Sequence, residues 1–170
     1  MRKSGFWAAY LLLLLLQLLL SNHFLFTPYI MLSILPVMVL CIPIRVGTTG
    51  AMLIAAATGF AVDLLAEGVL GLNAIALIPV AYARNSLIRL IFGEELFARE
   101  EDFSVRRSGF GKVATAVMLA QALFLLVYVW VDAAGTRPFW FLAARFGASL
   151  GAGFLLSLLT LDVLAPDSRK

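Results

Sequence analysis

The sequence has little charge, one cysteine and one histidine. Lys, Arg, Asp and Glu make up 14% of its 170 residues, against about 25% in an ordinary soluble domain. So little polar surface cannot coat a water-soluble globule. A single cysteine, Cys41, excludes a disulfide within the chain, and together with the single histidine, His23, it excludes a Cys/His metal set. Walker, dinucleotide-binding and zinc-protease motifs are missing. No serine, acid and second base accompany His23 to make a nucleophilic triad. The expectation is therefore no enzyme, with no catalytic, cofactor-binding or metal-binding residues, and no nucleic-acid partner.

What is present is hydrocarbon. Hydrophobic residues make up 62% of the chain, and mean hydropathy is +0.99. The apolar residues come in long blocks, of the length that crosses about 30 Å of hydrocarbon at about 1.5 Å per helical residue. The fold class expected is an all-α integral membrane protein, with residues 1–170 forming one polytopic domain. Six transmembrane segments are predicted, at about 6–26, 28–44, 46–65, 69–92, 111–131 and 138–164, with an inner loop at 93–110. The first follows a basic start and contains LLLLLLQLLL. No small-residue cleavage pattern follows it, so it reads as a retained helix rather than a cleaved signal. The second is short and holds Pro28, Pro36 and Pro43. An internal proline frees a backbone carbonyl, which lipid tolerates only where neighbouring helices or water satisfy it. A re-entrant or broken helix is the alternative there.

The basic residues set the orientation. With the N-terminus inside, the inner side collects Arg2, Lys3, Arg45, Arg99, Arg106, Arg107, Lys112, Arg169 and Lys170, while the outer loops keep Arg137. That asymmetry places both termini in the cytoplasm. Arg84 and Arg89 lie in the inner half of the fourth segment, where snorkelling is the plain account and phosphate or head-group binding the alternative. Within the inner loop, Glu95 and Arg99 are spaced for an i,i+4 pair, and Phe92, Leu96 and Phe103 fall roughly on one helical face. The loop is either a short surface helix or a solvated connection.

Two helices carry small residues at a four-residue spacing. The third has Gly47, Ala51, Ala55 and Gly59, continuing into Asp63 and Glu67; the sixth has Ala143, Gly147 and Gly151. Such stripes let membrane helices approach closely, either inside the bundle or against a partner's helix. Gln17 and Gln121, each alone in an apolar helix, are expected to hydrogen-bond across helix interfaces. Asp63 and Glu67 read first as a polar helix end, with Gly68 and Gly71 making a reversal and Asn73 capping the next helix. The alternatives are an ion or proton site, or an extracytoplasmic partner contact formed by Asp63, Glu67, Gly71 and Asn73.

The stretch GFAVDLLAEGVLGLNAIALIPVAYA, residues 59–83, resembles the central signature of the rod-shape-determining MreD family, in which a glycine-rich helix ends in an acid before a Gly-Leu-Asn-Ala helix start. The leucine-rich first helix with its glutamine and the proline-bearing second segment fit as well. The resemblance implies a multi-pass component of the bacterial cytoplasmic (inner) membrane, acting in cell elongation. It implies a non-enzymatic scaffold or regulator of cell shape and peptidoglycan synthesis, with MreC as direct partner. MreB, RodA and its penicillin-binding transpeptidase would belong to the wider complex. The family is also similar in fold to the six-helix substrate-capture subunits of energy-coupling-factor transporters. That likeness implies the rival function, a solute-binding subunit for a vitamin-like molecule, with a pocket near Asp63, Asn73 and the second segment.

Overall fold

A computed structural model describes residues 3–23, 30–93, 109–134 and 137–164. The inner-loop residues Glu95, Leu96, Arg99 and Phe103 lie outside the described residues. So do Arg2, Arg106, Arg107, Arg169 and Lys170 and the side chains of Lys3, His23 and Glu67. All regular structure among the described residues is helical. In chain order it comprises α1 (Lys3–His23), α2 (Leu35–Leu40), α3 (Gly47–Val62), α4 (Leu72–Phe92), α5 (Phe110–Ala133) and α6 (Phe139–Leu164). A 3₁₀ turn, Ile44–Val46, leads into α3, and one wide π turn, Asp63–Glu67, follows it.

Among the described residues five helices are long and apolar enough to cross a membrane: Gly5–Asn22, Ile44–Ala66, Leu72–Phe92, Phe110–Ala133 and Phe139–Leu161. Their outward faces are apolar, with Leu15, Leu53, Leu90, Leu159, Trp130 and Trp140 all exposed, a surface suited to lipid rather than water. Successive helices α3, α4, α5 and α6 pack each on the next, and α1 lies against the Asp63–Glu67 turn and α6.

The second predicted segment, 28–44, departs from a continuous span. Its described residues run extended through 30–34, form the six-residue helix α2, and then turn at Cys41–Pro43. The prolines explain this. Pro36 sits in the first turn of α2, where its missing N–H costs nothing, and Pro43 biases Ile42 away from helix. Between them there is room for less than two turns. Every residue from Ser33 to Ile42 is buried, so this stretch forms the centre of the core, with α3, α4 and α5 around it.

The α3 stripe faces inward. Ala51, Ala55 and Gly59 are buried, and a Cβ added at Gly59 would stand 2.5 Å from the Ala74 nitrogen and 2.7 Å from the Asn73 carbonyl carbon. Backbone thus touches backbone where α3 meets the start of α4. Gly47, in contrast, is exposed at φ +67° at the start of α3, and Gly147 and Gly151 on α6 are exposed with open space at their Cβ positions. On α6 the buried face is Ser149, Gly153 and Ser157 instead. Gly59→Ala is expected to cost about 1–3 kcal/mol, since only separation of the two backbones relieves the overlap. Gly147→Ala is expected to change stability by no more than about 0.5 kcal/mol. Thermal melting of the two variants in detergent micelles measures the contrast.

Candidate functional site, a carboxylate cap and a buried polar layer

The Gly59–Asn73 stretch closes on Asp63. The wide turn ends with the Gly68 N–H donating to the Asp63 carbonyl at 2.9 Å. Gly68 and Gly71 both adopt positive φ, +71° and +92°, which lets the chain reverse within a few residues. The Asp63 side chain then reaches across the turn and caps α4. Its Oδ2 accepts from the backbone N–H of Gly71 at 3.0 Å and of Ala74 at 3.3 Å. Its Oδ1 accepts from the Asn73 N–H at 3.0 Å and from Asn73 Nδ2 at 2.8 Å. The cap is therefore Asp63, ten residues upstream of Asn73, and the Asn73 side chain donates to it rather than to the helix.

Chemistry follows from that saturation. Each carboxylate oxygen has two lone pairs, and each takes two donors. The fully buried carboxylate has no oxygen lone pair left for a metal ion or a transferred proton, which removes the ion-site reading of Asp63. Its negative charge is held by the orphan N–H groups and positive dipole end of α4. Glu67 lies in the same turn, and the exposed residues around it are apolar: Leu64, Leu65, Val69 and Leu70.

A second polar cluster surrounds the extended stretch 30–34. Gln17 Nε2 on α1 donates to the Leu32 carbonyl at 3.2 Å, and its Oε1 accepts from the Ile34 N–H at 2.8 Å. Ser149 Oγ on α6 accepts from the Met31 N–H at 2.9 Å, and Gln121 Nε2 on α5 donates to the Ser33 carbonyl at 3.3 Å. Gln17 and Gln121 do bridge elements, as expected, but their partner is backbone rather than another helix. Nearby, the Thr58 hydroxyl donates to the Ile54 carbonyl at 2.7 Å, so Tyr10 is the donor in its 2.9 Å bond to Thr58 Oγ1 and ties α1 to α3.

Arg84 is not at an interface. It is 1% exposed, and its guanidinium donates to the Leu40 carbonyl at 3.2 Å and to the Ile42 carbonyl. A cation thus closes the C-terminal end of α2, where the carbonyls and the dipole favour positive charge. Asn85 Nδ2 donates to Thr48 Oγ1 at 2.8 Å, adding a link from α4 to α3. Arg89 is exposed on α4. At the α5–α6 connection, Arg145 pairs with Asp132 and its guanidinium lies 5.8 Å from the Tyr128 ring centroid. Sequence reading had not singled out Asp132, Ser149 or Ser157. Their signal, a polar residue on an otherwise apolar helix, is the one that picked out the two glutamines. Among the described residues no group of three His, Cys, Asp or Glu could hold a metal ion.

Asp63→Ala orphans four donors at once and is expected to destabilise the protein by about 3 kcal/mol or more, at about 1–3 kcal/mol for each buried unpaired group after partial relaxation. Asp63→Asn turns an amide N–H toward backbone donors and should still cost about 1–3 kcal/mol. Melting temperature and membrane accumulation of both variants test the assignment; wild-type values for Asp63→Ala would defeat it.

Comparison of the chain with protein-family models, with curated proteins and with solved structures finds no match.

Proposed function

We propose that the chain is a non-catalytic membrane scaffold of the bacterial cell-elongation machinery, similar in role to MreD. It binds an MreC-like bitopic protein and so helps control peptidoglycan synthesis by RodA and its transpeptidase, with MreB in the wider complex. The observation that carries this reading is how the Gly59–Ala83 stretch is used. Its acid, asparagine and close-contact glycine fasten α3 to α4, with Asp63 saturated by four donors. Polar groups committed to architecture suit an assembly role better than a reactive one.

The surfaces open to a partner are apolar. They are Leu64, Leu65, Val69 and Leu70 at the turn, and Ala143, Gly147 and Gly151 along α6. A bitopic partner brings one membrane helix, and small residues let such a helix approach closely. The solute-capture alternative needs Asp63 and Asn73 to line a pocket, whereas they bond each other and the start of α4.

The same reading puts the chain in the inner membrane with both termini cytoplasmic, and counts the second segment as a sixth, partly extended crossing. In its support, Ser33 lies beside Gln121, near the middle of α5, while Leu40 and Ile42 lie beside Arg84, past the middle of α4. The stretch between them therefore lies inside the bundle, level with the central part of α4 and α5. Six crossings would give a bundle of the kind found in energy-coupling-factor capture subunits.

Tagged protein solubilised from a bacterial host in mild detergent should retain an MreC-like bitopic protein. Gly147→Leu with Gly151→Leu should weaken that retention about tenfold while leaving accumulation unchanged, because nothing among the described residues stands within 4 Å of either Cβ position. Failure to retain such a partner, together with normal rod shape on depletion, would sink the proposal.

A further inference from the structure

Three fully buried side chains among the described residues keep a polar atom without a protein partner, Oδ1 of Asn73 on α4, Oε1 of Gln121 on α5 and Oγ of Ser157 on α6, and the last two belong to helices packed on each other. Gly153 lets the Gln121 carboxamide lie directly against α6. A Cβ at Gly153 would overlap Gln121 Nε2 and stand 3.1 Å from Gln121 Cδ, so the carboxamide rests on the α6 backbone where a side chain is missing. Ser157 follows one turn later on the same buried face. Helix side chains lean toward the N-terminus, so its hydroxyl comes back over the turn on which the carboxamide lies. The carboxamide cannot rotate to help itself. Its Nε2 donates to the Ser33 carbonyl, and a flip would set oxygen against oxygen.

A buried amide oxygen and a buried hydroxyl, each left unpaired inside a lipid-surrounded bundle, are costly enough to demand a ligand. We propose that Gln121 Oε1 and Ser157 Oγ together bind one internal water molecule between α5 and α6. The water donates one proton to Gln121 Oε1 and accepts from the Ser157 hydroxyl. The second lone pair of the Ser33 carbonyl, whose oxygen is 3.6 Å from the Gly153 Cβ position, takes the remaining proton. Three partners is the usual number for a buried water. A metal cation fits poorly, because the donors are neutral and too few, and an amide NH₂ lies among them. The water extends the polar layer around residues 31–34 to α6 at a second point, Ser157, about two turns beyond Ser149.

The test is a high-resolution structure of the full chain in lipid. A single spherical peak within about 2.6–3.2 Å of both atoms is expected, lost in Ser157→Ala with the Gln121 side chain unmoved. A direct Gln121–Ser157 hydrogen bond, or a peak with oxygen neighbours at about 2.3–2.5 Å as for a metal ion, would overturn it. Melting temperatures give a second arm. Ser157→Ala and Gln121→Leu should be non-additive, the double variant losing less than the summed single losses, because either change alone dismisses the same water. Strict additivity would count against a shared ligand.

Discussion

Inside a bilayer a backbone N–H or C=O has no water to turn to, and the whole arrangement of this protein answers that demand at one place. Residues 31–34 run extended through the middle of a helical bundle, so their polar groups cannot be paired within the segment. Gln17, Gln121 and Ser149 pair them from three different helices. Each of those side chains is buried at the centre of the bundle. Arg84 performs the same service at the far end of the segment, taking the last carbonyl of α2 and that of Ile42 in the turn after it. The bundle is thus arranged around a short irregular chain.

The α3–α4 hairpin solves the related problem of a helix start. The first N–H groups of α4 have no intrahelical acceptors, and Asp63 supplies them from the preceding turn. For the carboxylate to arrive there, the backbones of α3 and α4 must nearly touch, and Gly59 permits that. The wide turn and the two left-handed glycines then bring the chain round. Carboxylate, close contact and reversal are one device, which accounts for their lying together in sequence.

Much of this was legible beforehand. Five of the apolar blocks correspond to five membrane-length helices, and the glycine reversal at 68–71 falls where the residues suggest. The prolines flagged the second segment as irregular, and irregular it is. Legibility ended where partners are distant in the chain. That Gln121 serves Ser33 and Ser149 serves Met31 depends on contacts 88 and 118 residues apart, which no local pattern reveals. On α6, two small-residue runs compete, one through Gly147 and Gly151 and one through Ser149, Gly153 and Ser157. They lie about 200° apart around the helix at about 100° per residue, and spacing cannot say which turns inward. For Arg84, a cation near the end of an apolar segment reads as snorkelling; its actual acceptors lie in and just after a helix too short to be recognised from periodicity.

The separation between residues 31–34 and their partners also bears on how the chain enters the membrane. The segment is synthesised early, yet the side chains that pair it on α5 and α6 are made roughly a hundred residues later. Until then, of these three side chains, Gln17 alone can serve it, and its other carbonyls and amides need water or the insertion machinery. Those backbone groups therefore cannot settle fully in hydrocarbon until the last two helices are in place. The order of synthesis makes closure of the bundle a late and concerted event.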